Sequence, residues 1–225
     1  RYAAIQPSPG KERIKHMKIK LASLIAMAGL ALATVQAQAS SLVEGSIEDG
    51  KAKAITCAAC HGPEGNSVNP LWPNIAGQNA PYILAQLKAF KEGARQDPLM
   101  TSQAMLLSDE DMADLAVYFE SLPAAAQAVK DPGTVGRGEA LYRGGNLDSG
   151  VAACIACHGP TGDGNPAAKY PALRGQHADY VAKALRDYAS GSRTSDGKTR
   201  VMRDIAGRLS DDEIAAISSY VQGLK

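Results

Sequence analysis

Large apolar side chains are scarce in this chain: two Phe and one Trp occur among 225 residues, and aromatics make up 5% of the sequence. Small domains with so little bulk bury only a thin core, so the fold needs something its own side chains do not supply. No run alternates apolar and polar residues well enough for a half-buried strand, which argues against a sheet. An excess of basic charge is also missing. Six of the 24 basic residues and one of the 23 acidic residues precede residue 40, leaving 18 against 22 and a formal balance of −4. A nucleic-acid partner, which would want a basic face, is therefore not expected. The mild acidity selects no protein partner. Finally, no cysteine is spare, because all four belong to two copies of one pentapeptide.

Those copies are Cys57-Ala58-Ala59-Cys60-His61 and Cys154-Ile155-Ala156-Cys157-His158. Two thiols on one helical turn can each add to a vinyl group of a porphyrin, and the histidine that follows is carried under the ring as an iron ligand. Other uses of four cysteines fit less well. The pairs lie 97 residues apart, farther than ribbon-type zinc sites usually place them. No βαβ pattern surrounds either pair, as a thioredoxin-like redox site would require. A structural disulfide needs no histidine after its second cysteine. The reading is two covalently bound haem c groups, attached through Cys57, Cys60, Cys154 and Cys157, with His61 and His158 as iron ligands. Each haem also supplies the missing apolar bulk, so the protein is expected to fold poorly without them.

A second pattern begins at Met17. Lys18 and Lys20 precede an apolar run over 21–35, followed by Ala37-Gln38-Ala39. Basic, apolar and small-residue regions in that order make residues 17–39 a signal peptide, with cleavage expected after Ala39. The run is too short to span a bilayer comfortably, and glutamines follow at once. Residues 1–16 lack a starting methionine and are read as an upstream extension. Export ahead of a haem-binding chain points to a bacterial periplasm.

The remainder is an internal duplication of 46–122 and 135–224. Gly62, Pro63 and Gly65 match Gly159, Pro160 and Gly162; Pro73, Gly77 and Gln78 match Pro171, Gly175 and Gln176. Tyr82, Leu87, Gly93 and Arg95 match Tyr180, Leu185, Gly191 and Arg193. The domains are placed at 40–122 and 135–225, with a linker at 123–134 rich in alanine and carrying Pro123, Pro132 and Gly133. Each repeat reads as mostly helix. Ser108 with Asp111, and Ser210 with Glu213, are capping-box starts. Behind them Met112, Leu115, Ala116 and Phe119, then Ile214, Ile217 and Val221, recur at helical spacing. A middle helix ends near Gly93 in one repeat and near Gly191 in the other. A further helix leads into each cysteine motif, over 136–143 in the second repeat, with a glycine-rich loop at 144–150.

The sixth iron ligand separates an electron carrier from a reactive haem. Met100 lies eight residues before Ser108, and Met202 eight before Ser210. Matched positions make Met100 and Met202 the expected ligands, with Met105 the rival in the first repeat and core filling the reading for Met105 and Met112. The second ring nitrogen of each histidine needs an acceptor. The carbonyls of Pro73 and Pro171, twelve and thirteen residues on, are candidates, although a plain prolyl turn reads the same. Tyr82, Tyr180, Arg95, Arg193 and Arg174 are candidates for the haem propionates, a packed or solvated role being the alternative. His177, matched by Asn79, is read as a surface residue at a helix start.

Two such repeats, each with Cys-x-x-Cys-His and a methionine shortly before a Leu-Ser-Asp helix start, resemble the dihaem cytochrome c4 family. Leu141-Tyr142-Arg143-Gly144-Gly145, Gly175-Gln176-His177 and Ser219-Tyr220-Val221-Gln222-Gly223-Leu224 strengthen the likeness. The resemblance implies an all-α pair of cytochrome c-like domains, each around one covalent haem. It implies an electron carrier rather than an enzyme, soluble or peripherally associated with the membrane. Its redox partners would be a quinol-oxidising complex, other cytochromes and a terminal oxidase. Residues 93–100 form a shorter segment than the resemblance leads one to expect. Dihaem subunits of flavocytochrome sulfide dehydrogenases are similar too, which leaves an electron-accepting subunit of such an enzyme as the alternative.

Overall fold

Ser108 and Ser210 each start a helix in the way their sequences require. In the computed structural model, which describes residues 42–225, Ser108 Oγ accepts the Asp111 N–H at 3.0 Å while the Asp111 carboxylate accepts the Ser108 N–H at 2.8 Å. Ser210 and Glu213 repeat the exchange at 3.3 and 2.9 Å. The signal peptide expected at 17–39 and its cleavage point lie outside the described residues.

The first repeat contains α1 Ile47–Lys53, α2 Ile55–His61, α3 Ala80–Lys91, α4 Pro98–Met105 and α5 Asp109–Ser121. The second contains α6 Val135–Gly144, α7 Ile155–His158, α8 Ala178–Ser190, α9 Val201–Ala206 and α10 Asp211–Gln222, the same succession. Among the described residues β pairing is confined to isolated bridges at Asn146–Val151 and Asn165–Tyr170, so the all-α reading holds. No helix there is long and apolar enough to cross a membrane.

The last helix of each repeat is its spine. α5 packs on α1 and α3, and α10 packs on α6 and α8. Leu115, Ala116 and Phe119 turn into one core with Ile83 and Val43; Ile214, Ile217 and Val221 turn into another with Leu141, Tyr142, Leu185 and Tyr188. The stripe spacing of the sequence is thus the stripe that is buried. Met112 is fully buried, as expected. Met105 is not core filling: it closes α4 with 58% of its surface exposed, because that helix ends there and turns the side chain outward.

The segment after α5 crosses to the second repeat without helix and is held by side chains. Gln222 Nε2 donates to the Ala128 carbonyl at 2.8 Å, and Ser219 Oγ accepts the Asp131 N–H at 2.7 Å. A 3₁₀ turn, Pro132–Thr134, then leads into α6.

Candidate functional site

Both cysteine motifs run through short helices that end at the histidine, the second with Cys154 as its N-cap. Gly62 and Gly159 follow with φ of 81° and 77°, a conformation that favours glycine, and the chain turns back beside the imidazole. All four cysteines are half-buried, and none is paired in a disulfide. Burial pushes the Cys57 thiol up and the Cys154 thiol up to about 11. Among the described residues no three His, Cys, Asp or Glu side chains converge on a metal-sized point.

The histidines are 7% and 6% exposed. His61 Nδ1 donates to the Pro73 carbonyl at 2.8 Å, and His158 Nδ1 to the Pro171 carbonyl at 2.9 Å. A carbonyl oxygen only accepts, so the proton sits on Nδ1 and the Nε2 lone pair is free. Burial lowers both imidazole pKa values, with the proline carbonyls pulling the other way, which favours the neutral ring. A buried, neutral imidazole with its tautomer fixed from behind is what an axial iron ligand needs.

Met100 lies on α4, where the Asp97 carboxylate caps the helix and accepts the Leu99 and Met100 N–H groups at 3.1 Å each. Met202 lies on α9, packed against the second core. Asp196 fixes that helix by accepting from the Arg203 N–H at 3.0 Å and from its guanidinium at 2.8 Å. Both methionines are half-buried. Thiols in helical pairs, imidazole nitrogen and thioether sulfur form the donor set of haem c, and the residues present fit that group.

The polar candidates mostly find one another. Arg95 donates to Tyr180 Oη at 3.0 Å, and Arg193 donates to Tyr82 Oη at 2.8 Å, so each arginine reaches the tyrosine of the other repeat. Gln86 Oε1 accepts from both guanidiniums, at 2.9 and 3.0 Å. Burial raises the Tyr180 phenol, but the two guanidiniums outweigh it and hold the phenol below its usual range. Arg174 stands apart, exposed and paired with Asp163 at 2.8 Å. His177 is a correction. It is 8% exposed rather than on the surface, and its Nε2 donates to the Ser67 carbonyl at 2.8 Å. Ser67 belongs to the other repeat, 110 positions away.

Sequence reasoning passed over Asn74, Asn79, Gln78, Gln86 and Gln176 as functional positions. The one signal available was the match of Gln78 with Gln176 in the duplication.

The family model for cytochrome c matches residues 47–123 and again 136–225. Cytochrome c4 of Pseudomonas aeruginosa is 49% identical over 180 residues, covering 80% of this chain and 89% of that protein. The chain belongs to the dihaem cytochrome c4 family. Its backbone agrees: the crystal structure of reduced recombinant cytochrome c4 from Pseudomonas stutzeri superposes with a TM-score of 0.79 at 44% identity, covering 81% of this chain and 100% of that one. A thiosulfate dehydrogenase electron acceptor from Stutzerimonas stutzeri is 36% identical over 200 residues, 86% of this chain and 92% of that protein. As a member of the family the chain is a dihaem electron carrier, with two haem c groups as its cofactors.

Proposed function

We propose that the chain carries electrons in the bacterial periplasm, from a quinol-oxidising complex toward a terminal oxidase, and turns over no small substrate of its own. In this reading residues 40–122 and 135–225 are the two domains, with 123–134 as linker. Cys57 and Cys60, and Cys154 and Cys157, hold the haems, while His61 with Met100 and His158 with Met202 close the two irons. Bound haem supplies an iron that gains and loses one electron. The protein's own part is to hold the donors still and exclude vacant positions.

The observation that carries this reading is the pair of fixed imidazoles, His61 on Pro73 and His158 on Pro171, each in a repeat with a methionine eight residues before its capped last helix. Two equivalent, closed sites suit transfer with little rearrangement. In the test, reduced native protein meets carbon monoxide at neutral pH, and is separately mixed with a quinol-oxidising complex and an oxidase. The expected result is no carbon monoxide adduct and rapid electron exchange. Stoichiometric binding to one haem in undamaged protein would overturn the carrier reading.

The thiosulfate dehydrogenase electron acceptor relative supports a second reading, in which the same sites accept electrons from that enzyme. Reduction by thiosulfate only when a thiosulfate dehydrogenase is added would favour it. Co-purifying flavin would instead favour a flavoprotein partner.

A further inference from the structure

The proline turns that fix the two histidines lie where the repeats meet, and each is gripped by the opposite repeat. Gln176 accepts the Asn74 N–H at 2.9 Å and donates to the Asn74 carbonyl at 2.8 Å. Gln78 accepts the Ala172 N–H at 2.8 Å and donates to the Ala172 carbonyl at 2.9 Å. Both glutamines are buried, and each Oε1 also accepts the N–H of the next residue, Asn79 or His177, at 3.0 Å. That pattern fixes which end of each amide is oxygen, since three backbone groups agree on it.

The Asn74 N–H and the Pro73 carbonyl belong to one peptide unit, as do the Ala172 N–H and the Pro171 carbonyl. One side of that unit is bonded to a glutamine of the other repeat; the other side accepts the histidine Nδ1–H. A hydrogen bond at the N–H polarises the amide and makes its oxygen a better acceptor. A stronger Nδ1–H bond in turn makes the imidazole a better donor to iron.

We propose that Gln78 and Gln176 are positioning residues that act across the repeat boundary, Gln78 tuning His158 and Gln176 tuning His61. The two sites are therefore not independent copies: each repeat sets part of the other's ligand field. Each turn has a third bond across the boundary as well: Asn79 Nδ2 donates to the Tyr170 carbonyl at 3.1 Å, and Asn74 Nδ2 donates to the Gly175 carbonyl at 2.9 Å.

This inference rests on the histidine-ligand reading above, and the experiment separates the two. Holoprotein carrying Gln78→Met or Gln176→Met is compared with the native form by potentiometric titration. Hyperfine-shifted proton spectra of the ferric state are recorded alongside, with signals assigned to each repeat through Met100→Ala and Met202→Ala. If the native spectra lack imidazole signals from both histidines, the ligand reading fails. If those signals are present, Gln78→Met is expected to move the His158 ring signals and raise the second repeat's potential, leaving the first repeat's in place. Gln176→Met is expected to move the His61 ring signals and raise the first repeat's potential, leaving the second repeat's in place. Thr194→Val, which removes a different cross-repeat bond (to the Ala94 carbonyl at 3.0 Å), should move neither. Shifts confined to the glutamine's own repeat, equal shifts in both, or none at all would each overturn the proposal. Where Gln78→Met fails to give two-haem protein, Gln176→Met carries the test by itself, and His61 signals and a first-repeat potential unchanged in that variant would overturn it.

Discussion

Gly50 on α1 lies so close to α5 that a Cβ placed on it would stand 2.1 Å from the carbonyl oxygen of Asp114. Gly138 on α6 stands in the same relation to Ala216 on α10, at 2.3 Å. Each repeat thus crosses its first and last helices at a point where only hydrogen fits. The substitutions Gly50→Ala and Gly138→Ala improve helix propensity by about 1 kcal/mol. They should still destabilise the holoprotein by about 2 kcal/mol net, because the helices must separate. Urea unfolding is the measurement, and an unchanged or higher midpoint would contradict the crossing argument.

Methionine ligation has a spectroscopic signature. Ferric protein should show the weak near-infrared band of sulfur-to-iron charge transfer, and Met100→Ala and Met202→Ala should each remove about half of it. Each variant should also open one iron to carbon monoxide. Met105→Ala, at an exposed helix end, should leave the band intact; losing half of it there would move the first repeat's ligand to Met105.

Acid should weaken the cap of α5. The Lys53 ammonium beside Asp111, then the Ser108 N–H and hydroxyl, hold the Asp111 carboxyl at about 2 against an ordinary 3.8. The native value is the lower one, so the cap stabilises above the ordinary value and loses its effect as pH falls through about 2. Asp111→Asn should therefore destabilise by about 1 kcal/mol at neutral pH. That difference should shrink steadily between pH 5 and pH 2 in thermal denaturation. A difference independent of pH would show that the carboxylate is not the active part of the cap.

Haem should be part of the fold as well as of the function. Intact mass of protein matured with a working haem-attachment system should show two haem additions, and acidified organic solvent should leave the colour on the polypeptide. Cys57→Ser with Cys60→Ser should cost the first repeat its cooperative unfolding transition, because its core holds few large side chains to replace the lost bulk. A first repeat that unfolds as cooperatively without haem would refute this.

Much of the molecule was legible in the chain because its determinants are local. Two capping boxes, the apolar stripes behind them, the helix expected over 136–143 and found as Val135–Gly144, and the paired cysteine motifs each depend on residues within a few turns of one another. Pro73 and Pro171 were suggested as acceptors by spacing alone, and the structure places their carbonyls on the histidines. The burial of His177, the exposure of Met105 and the crossed grip of Gln78 and Gln176 were not legible. Their partners are 94 to 110 positions away, or, for Met105, solvent. More fundamentally, the glutamines and His177 bond to backbone groups of Asn74, Ala172 and Ser67, and every residue owns a carbonyl. A side chain that recognises backbone leaves no mark on the sequence of its partner. The sequence by itself determined what each repeat holds; only the tertiary structure decided that each repeat helps to hold the other's histidine, because that depends on which turns the packing of the two repeats brings within hydrogen-bond reach.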